Sequence, residues 1–170
     1  MRLREPHPPD GPSMSGLVRD CPPLDANSTY IYLLLAEHFP ETCILAEDAE
    51  GLSGLVTGYL PPGRPDTLFV WQVAVAARVR GQGLGRRMLH ALLGRAALSR
   101  VRYIETTVGP GNRASRRMFA GLARGLGAAA TETSLFDAGL FEATDHGAEP
   151  LLRIGPFERP VVHAAASHVC

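Results

Sequence analysis

A glycine-rich turn between an apolar segment and an amphipathic one constrains the fold of this chain more than any other feature. Residues 67–75 (TLFVWQVAV) are apolar, β-branched and aromatic, which predicts a buried central β-strand. The turn follows at residues 80–86 (RGQGLGR), and Leu84, Met88 and Leu92 then recur at helical spacing. Glycines let successive backbone N–H groups point into one concavity, and a helix N-terminus adds partial positive charge. The strand–turn–helix unit therefore predicts an anion site, and a phosphate is the natural candidate.

The spacing of the glycines excludes two common phosphate-binding motifs. A dinucleotide-binding turn reads G-x-G-x-x-G, whereas Gly81, Gly83 and Gly85 give G-x-G-x-G and Arg86 follows them. A P-loop ends in G-K-S or G-K-T, and this chain contains no lysine. A purely structural turn that starts a helix is the alternative for the glycines alone. Arg80 before the turn and Arg86 at its end favour the phosphate site.

The absence of lysine also limits the chemistry. All 17 basic residues are arginine, and 17 acidic residues bring the formal net charge to +0. Without lysine the chain cannot form a Schiff base or anchor pyridoxal phosphate. The neutral balance argues against general nucleic-acid binding, which needs a surplus of positive charge on one face.

Length and composition indicate one globular domain. A chain of 170 residues with 45% hydrophobic and 20% charged residues can bury its own core. We expect the domain to span residues 1–157 and the alanine-rich residues 158–170 to form a frayed tail. Three cysteines far apart are no disulfide framework, so a cytoplasmic protein is expected. No apolar segment approaches the roughly 18 residues of a membrane span. His163, His168 and Cys170 match no zinc spacing, so no metal is expected.

Hydrophobic periodicity and turn residues predict interleaved helices and strands, and hence an α/β or α+β fold. A first helix is expected between Asp10, its predicted N-cap, and the Cys21-Pro22-Pro23 stop. Residues 135–147 carry no clear pattern. Further helices are predicted at residues 29–38, 84–95 and 112–126, and strands at residues 42–47, 52–60, 67–75, 101–108 and 151–154.

The glycine turn resembles the acetyl-CoA pyrophosphate motif Q/R-x-x-G-x-G/A of the GNAT acetyltransferase superfamily, with Arg80, Gly83 and Gly85 at its fixed positions. VWQVAV at residues 70–75 is similar to the fourth strand of that fold, which splays from its neighbour. The resemblance implies a mixed central sheet with a splayed strand pair and flanking helices, and acetyl-CoA as cosubstrate. The implied cofactor-binding residues are Val73, Val75, Arg80, Gly81, Gln82, Gly83, Leu84, Gly85, Arg86, Asn112 and Ser115.

Longer segments resemble a narrower group, the diaminobutyrate acetyltransferases of ectoine synthesis. They include CPPLDxNSxY at residues 21–30, LFVWQVAV at residues 68–75, ETT at residues 105–107 and LRIGP at residues 152–156. This resemblance implies acetyl transfer from acetyl-CoA to the 4-amino group of L-2,4-diaminobutyrate, by direct attack of the amine on the thioester. Because proteins of this fold are often dimers, a homodimer is a further expectation.

Recognition of a diamine that carries a carboxylate calls for anions that face its two ammonium groups. Asp25 is the first candidate for an ammonium ligand, and an N-cap of the following helix is its alternative role. Trp71 can pack on the substrate's methylenes or ammonium, or it can be ordinary core. Glu149 is implied near the substrate by the resemblance, with a solvated turn as the alternative. Asn27 and Tyr30 are candidates for the pocket lining.

The base that deprotonates the amine stays open at this level. A primary alkyl amine has a pKa near about 10.4, so a base or a water chain must accept a proton before attack. Glu105 on its strand is one candidate, although a buried structural carboxylate is the slightly favoured alternative. Glu149 is a second candidate, and His146 fits a surface loop better than a base. The backbone N–H of Val73 is the natural donor to the thioester oxygen.

The acid that protonates the departing thiolate is absent from its usual place. Many acetyltransferases of this fold use a tyrosine on the helix that follows Asn112, where this chain has Phe119. We therefore expect solvent to protonate the thiolate, whose ordinary pKa is about 8.5. Cys21 and Cys43 are expected to be bystanders, since an amine needs no protein nucleophile.

Two other functions are compatible with these residues. An acetyltransferase of the same fold could act on a different small amine or polyamine, because Asp25 and Glu149 suit any small polycation. A non-catalytic acyl-CoA sensor would bind the cofactor without turnover of any amine.

Overall fold

The computed structural model describes residues 1–141 and 147–158, and within them seven strands form one sheet in the order β1-β2-β3-β4-β5-β7-β6. Neighbouring strands are antiparallel except β4 and β5, which run parallel. The mixed sheet that the resemblance implied is therefore confirmed. The strands are β1 Arg2–Arg4, β2 Ile44–Asp48, β3 Gly51–Tyr59, β4 Thr67–Val75, β5 Tyr103–Thr107, β6 Ala130–Phe136 and β7 Glu149–Ile154.

Helices cover both faces of the sheet and create two apolar cores. The helices are α1 Gly11–Arg19, α2 Thr29–His38, α3 Leu84–Leu93 and α4 Arg113–Gly125. Apolar stripes of α3 and α4, which include Met88, Leu92 and Leu122, pack with strand residues in the larger core, and this core extends to Phe157. Met14 of α1 and other residues of α1 and α2 pack with strand residues on the opposite face. Each helix thus buries one stripe against the sheet, as the periodicity predicted.

The structure confirms most predicted elements and adds two strands that were not predicted. Helix α2 and strand β4 have the predicted bounds. Strands β1 and β6 were not predicted, because β1 has only three residues and all seven residues of β6 are exposed, which leaves no alternating pattern of burial.

The predicted N-cap position of Asp10 is confirmed, but the side chain has a different partner. Asp10 stands at the N-cap position of α1, but its side chain makes no capping hydrogen bond. Its carboxylate instead accepts two hydrogen bonds from the Arg4 guanidinium, at 2.7 and 2.8 Å, and one from the His7 backbone N–H. A bidentate guanidinium is a stronger partner than a neutral N–H, which explains the preference.

A bulge in β4 positions the side chains of the site. In the pairing of β3 with β4, Thr57 lies opposite Gln72 and Gly58 lies opposite Val70, so Trp71 is the extra residue. Side chains before and after the bulge therefore break the usual alternation. Trp71 and Gln72 both contact Tyr32 of α2, while Leu68 and Val70 lie in the core under α3 and α4.

Candidate active site

Strands β4 and β5 pair only at their beginnings and then separate. Their parallel pairing is confined to Thr67–Phe69 with Tyr103–Glu105, so the remainder of β4 has an open edge on the β5 side. The carbonyl oxygen of Val75 accepts hydrogen bonds from Arg80 Nε, at 2.9 Å, and from the Cys21 thiol, and hence faces away from β3. Because backbone polar groups alternate along a strand, Val73 also directs its N–H and C=O to this open edge.

The glycine turn forms a concavity at the N-terminus of α3. Gly81 and Gly83 have φ values of 78° and 73°, in the left-handed region where glycine is favoured, and no side chain caps α3. Gly85 lies where α3, α4 and β4 meet, and a Cβ there would stand 2.5 Å from Met118 Sδ. The turn therefore offers uncapped backbone N–H groups beside a close packing of two helices, which suits an anion.

A cavity of about 590 Å³ extends from the open edge of β4 across this turn to α4. All the predicted cofactor-binding residues line it except Gln82, which is exposed outside the lining. The predicted residues in the lining are Val73, Val75, Arg80, Gly81, Gly83, Leu84, Gly85, Arg86, Asn112 and Ser115. Ten further residues that were not predicted for the site also line the cavity, namely Cys21, Pro22, Pro23, Leu24, Val79, Ala114, Arg117, Met118, Gly121 and Arg124.

Four arginines and no carboxylate line the cavity, which gives it a strongly positive character. The arginines are Arg80, Arg86, Arg117 and Arg124. Arg80 donates from Nε to Val75 and from Nη2 to the Asp20 carbonyl and Cys21 Sγ, so it ties the turn to the end of β4. A cosubstrate with a pyrophosphate and an extended amide-bearing arm fits this combination of guanidinium groups, uncapped helix N–H groups and open strand edge.

Asn112 and Ser115 begin the wall that α4 contributes. The Asn112 side-chain oxygen accepts a hydrogen bond from the Ser115 N–H at 3.1 Å, so Asn112 is the N-cap of α4. Phe119 of α4 is 2% exposed and belongs to the core. It therefore offers no proton donor to the cavity.

The loop before α2 connects this cavity with the opposite face of β4. Cys21 and Leu24 line the cavity, and a few residues later the Asp25 carbonyl accepts hydrogen bonds from Asn27 Nδ2 at 2.9 Å and Gln72 Nε2 at 3.4 Å. The structure thus brings Asp25 and Asn27 beside the bulge of β4. Ser28 caps α2 by accepting from the Tyr30 N–H, so Asp25 is not needed for that role.

Tyr32 and Gln72 form the contacts on the face of β4 that packs against α2, and neither was predicted as a site residue. The Tyr32 hydroxyl donates to Gln72 Oε1 at 3.0 Å, and its ring stacks on Trp71 with centroids 6.2 Å apart. Burial raises the pKa of Tyr32, so its phenol stays protonated as a donor. The position of Trp71 is therefore fixed by contacts on the face of the sheet that also carries Asp25.

Tyr30 and Glu149 take no part in these contacts. The Tyr30 side chain at the start of α2 is 65% exposed. Glu149 is half-buried at the start of β7, opposite Phe136 of β6, and strand alternation puts it on the same face of β7 as Arg153. Neither belongs to the lining of the cavity.

The carboxylate of Glu105 is shared between two guanidinium groups. Arg64 Nη1 contacts both of its oxygens, at 2.8 and 2.9 Å, and Arg153 Nη1 binds one of them. The Arg153 guanidinium also lies over the Tyr103 ring, 3.9 Å from its centroid. Because both carboxylate oxygens are held by guanidinium groups, this geometry supports the structural role of Glu105.

The two described cysteines are buried free thiols. Cys21 contacts Val75 and Arg80 at the rim of the cavity. Burial raises the pKa of Cys43 to about 11, so it remains a neutral thiol in the core. His146, His163, His168 and Cys170 lie outside the described residues.

The described part of the chain contains neither a membrane-spanning helix nor a cluster of metal ligands. Its helices lack the length and apolar character that a membrane crossing needs. Its histidine, cysteine and acidic side chains nowhere form a group of three or more that could hold a metal ion.

Comparisons with known proteins agree with this architecture. Residues 12–123 match the model of the Acetyltransferase (GNAT) family. The L-2,4-diaminobutyric acid acetyltransferase of Bordetella parapertussis is 55% identical over 159 residues, which are 93% of this chain and 86% of that protein. The enzyme of the same name from Methylotuvimicrobium alcaliphilum is 45% identical over 156 residues, 92% of this chain and 91% of that protein.

A solved structure shows the same fold in a liganded relative. The diaminobutyrate acetyltransferase EctA from Paenibacillus lautus, in complex with its substrate L-2,4-diaminobutyric acid and coenzyme A, is 43% identical with a TM-score of 0.89. The similarity covers 94% of this chain and 97% of that one. The splayed strands, the glycine turn and these relatives together show that the chain belongs to the GNAT family of acetyltransferases, within the group of the L-2,4-diaminobutyric acid acetyltransferases.

Proposed function

We propose that this enzyme transfers the acetyl group of acetyl-CoA to the 4-amino group of L-2,4-diaminobutyrate, the acetylation step of ectoine synthesis. The relatives named above carry this activity in their names. The observation in the fold that carries the proposal is the path of the segment from Cys21 to Ser28. It lines the positive cavity at one end and is bonded to Gln72, next to Trp71, at the other.

The positive cavity is the proposed acetyl-CoA site. Bound acetyl-CoA supplies an activated acetyl thioester that an amine can attack without a protein nucleophile. Val73 and Val75 offer backbone groups to the pantetheine arm along the open edge of β4. Arg86 and the uncapped N–H groups of α3 hold the pyrophosphate. Arg80 bonds to Val75 and Cys21 through Nε and Nη2, and its Nη1 donates to the same pyrophosphate. Gln82, Asn112 and Ser115 complete the proposed set.

The face of β4 that carries Trp71 is the proposed diaminobutyrate site. Asp25 neutralises an ammonium group of the substrate, and Trp71 packs on its methylenes or its ammonium. Asn27 and Tyr30 line the site, and Glu149 lies on the sheet face that leads towards it. A site with carboxylates on one side and a positive cavity on the other orients a cationic acceptor against an anionic donor.

Proton transfer in this site uses few protein groups. The attacking amine must lose a proton, and Glu149 is the remaining carboxylate among the proposed bases once Glu105 is assigned to its ion pairs. The backbone N–H of Val73 faces the open edge of β4 and stabilises the charge that develops on the thioester oxygen. Solvent protonates the departing thiolate, since Phe119 cannot.

We also propose a cytoplasmic homodimer with one catalytic domain over residues 1–157. Acetyl-CoA is a cytoplasmic metabolite, and the buried free thiols Cys21 and Cys43 suit a reducing compartment. Strand β6 is an exposed sheet edge with Leu135 and Phe136 at 40% and 45% exposure, which is a surface that a second copy would protect. Light scattering of the purified protein tests the dimer.

Thiol release from acetyl-CoA in the presence of different amines tests the function. We expect L-2,4-diaminobutyrate to give a kcat/KM at least tenfold above those of putrescine and free lysine. Equal values for these amines would contradict the proposed substrate and favour an acetyltransferase with a broader range of polyamines. Cofactor binding without turnover of any amine would favour an acyl-CoA sensor.

A further inference from the structure

Three of the four cavity arginines have no side-chain hydrogen-bond or ion-pair partner in the described part of the chain. In the part of the chain that the structure describes, Arg86, Arg117 and Arg124 make no ion pair with a carboxylate. Six arginines elsewhere in the described residues do make such pairs, among them Arg4 with Asp10 and Arg78 with Asp48. All three unpaired side chains line the same cavity. Three adjacent like charges repel one another, so they favour a ligand with several negative charges.

A glycine on α4 allows these arginines to form one row. Gly121 lies between Arg117 and Arg124, four and three residues away, so all three positions share one face of the helix. A Cβ on Gly121 would stand 3.1 Å from Arg86 Nη1 and 3.3 Å from Arg86 Cδ. The Arg86 side chain from α3 therefore lies across α4 at the one turn where no side chain obstructs it.

The row is longer than a pyrophosphate requires. Helices α3 and α4 run side by side in the same direction, since Gly85 meets Met118, Arg86 meets Gly121 and His90 meets Gly125. The glycine turn and the uncapped end of α3 lie at the beginning of this pair. Arg117 and Arg124 are seven residues apart, which is about 10 Å along the helix axis, and Arg124 lies at the far end from the turn.

We propose that Arg124, at the end of the row away from the glycine turn, binds the 3′-phosphate of coenzyme A and makes the enzyme select CoA over its 3′-dephospho form. This inference rests on the proposed acetyl-CoA site and adds a second anionic subsite to it. The glycine turn binds the pyrophosphate, Arg117 lies between the two subsites, and Arg124 contacts the phosphate that dephospho-CoA lacks. The arginines are exposed, so the attraction is screened by salt and weakens as ionic strength rises.

Calorimetric binding of CoA and 3′-dephospho-CoA tests the subsite without any acceptor amine. We expect the wild-type enzyme to bind CoA about tenfold or more tightly than dephospho-CoA, the magnitude of a charge-assisted contact at an exposed site. Arg124→Ala should weaken CoA binding by about the same factor and leave dephospho-CoA within about twofold. Gly121→Ala, which displaces Arg86 from the pyrophosphate subsite, should weaken the binding of both cofactors.

Arg113→Ala is the matched control, because Arg113 is an exposed arginine of α4 that does not line the cavity. It removes the same charge from the same helix and should keep the wild-type preference. Equal affinities of the wild type for the two cofactors would overturn the inference, and so would an equal loss for both cofactors in Arg124→Ala. Failure of this inference is distinguishable from failure of the proposed function, because diaminobutyrate can be acetylated whether or not the enzyme prefers CoA to dephospho-CoA.

Discussion

Replacement of Gly83 by aspartate probes the phosphate concavity with a charge. Gly83 has a φ of 73°, and a Cβ built on it would have Arg86 Nη2 at 3.7 Å as its nearest atom. A carboxylate at this position reaches the Arg86 guanidinium and occupies the place proposed for the pyrophosphate. The change therefore introduces repulsion towards the ligand and draws one of its arginines into an internal ion pair.

The expected loss follows from Coulomb's law. Two like charges about 5 Å apart interact by about 3 kcal/mol at an effective dielectric constant of about 20. Solvent at the open side of the cavity reduces this to about 1.5–3 kcal/mol, which is a rise of about 10- to 100-fold in the Kd for CoA. The fold should hold, because aspartate tolerates the left-handed region and a carboxylate favours a helix N-terminus.

Gly83→Asn is the matched control for this experiment. Asparagine has the shape of aspartate and the same tolerance of positive φ, but it carries no charge. Calorimetric titration with CoA should show a much smaller loss in Gly83→Asn than in Gly83→Asp, with thermal midpoints of both variants close to that of the wild type. Equal losses in the two variants would show that shape rather than charge matters, and wild-type affinity in both would remove the turn from the cofactor site.

Three other perturbations separate binding from stability. Asp25→Ala should abolish diaminobutyrate turnover while CoA affinity stays within about twofold of wild type; a lost far-UV circular dichroism signal would instead assign Asp25 to the fold. Gly58→Ala should lower the free energy of unfolding, measured in urea, by about 2–4 kcal/mol, because the new Cβ would stand 2.6 Å from the Phe69 carbonyl oxygen. A loss below about 1 kcal/mol would contradict this packing. For Cys43, burial raises the pKa from 9.0 to about 11, so the unfolded thiol ionises first and stability falls as pH rises from 9 to 11. This thiol should account for about 2–3 kcal/mol of the fall, and Cys43→Ala should show a shallower pH dependence; an identical slope would refute the assignment.

The fold was predictable where burial imposes a pattern on the residues. The run at residues 67–75 is mostly apolar because β4 is central, and the apolar run at residues 29–38, which ends before Pro40, gives α2 its predicted bounds. Strand β6 could not be predicted, because all its residues are exposed and show no alternation of apolar and polar positions. Its pairing with β7 joins segments that are distant in sequence. The partner of Asp10 was missed because Arg4 reaches it only once β1 has joined the sheet.

The candidate site was predictable where backbone N–H groups, rather than side chains, form the binding site. Glycine spacing and an adjoining helix define the phosphate concavity, so nearly all the predicted cofactor residues line one cavity. Arg117 and Arg124 were missed because arginines on a helix are usually solvated, and only the packing of α3 against α4 turns them to the cavity. The Tyr32–Gln72 pair depends on the bulge at Trp71, and a bulge has no sequence signature in an apolar run.

Nuclear magnetic resonance of the product formed from acetyl-CoA and L-2,4-diaminobutyrate tests the proposed reaction and its regiochemistry. We expect stoichiometric CoA release and a product that carries its new acetyl group on the 4-amino nitrogen, with the 2-amino group still titratable. Acetylation of the 2-amino nitrogen, a mixture of both products, or faster acetylation of putrescine in the same tube would contradict it.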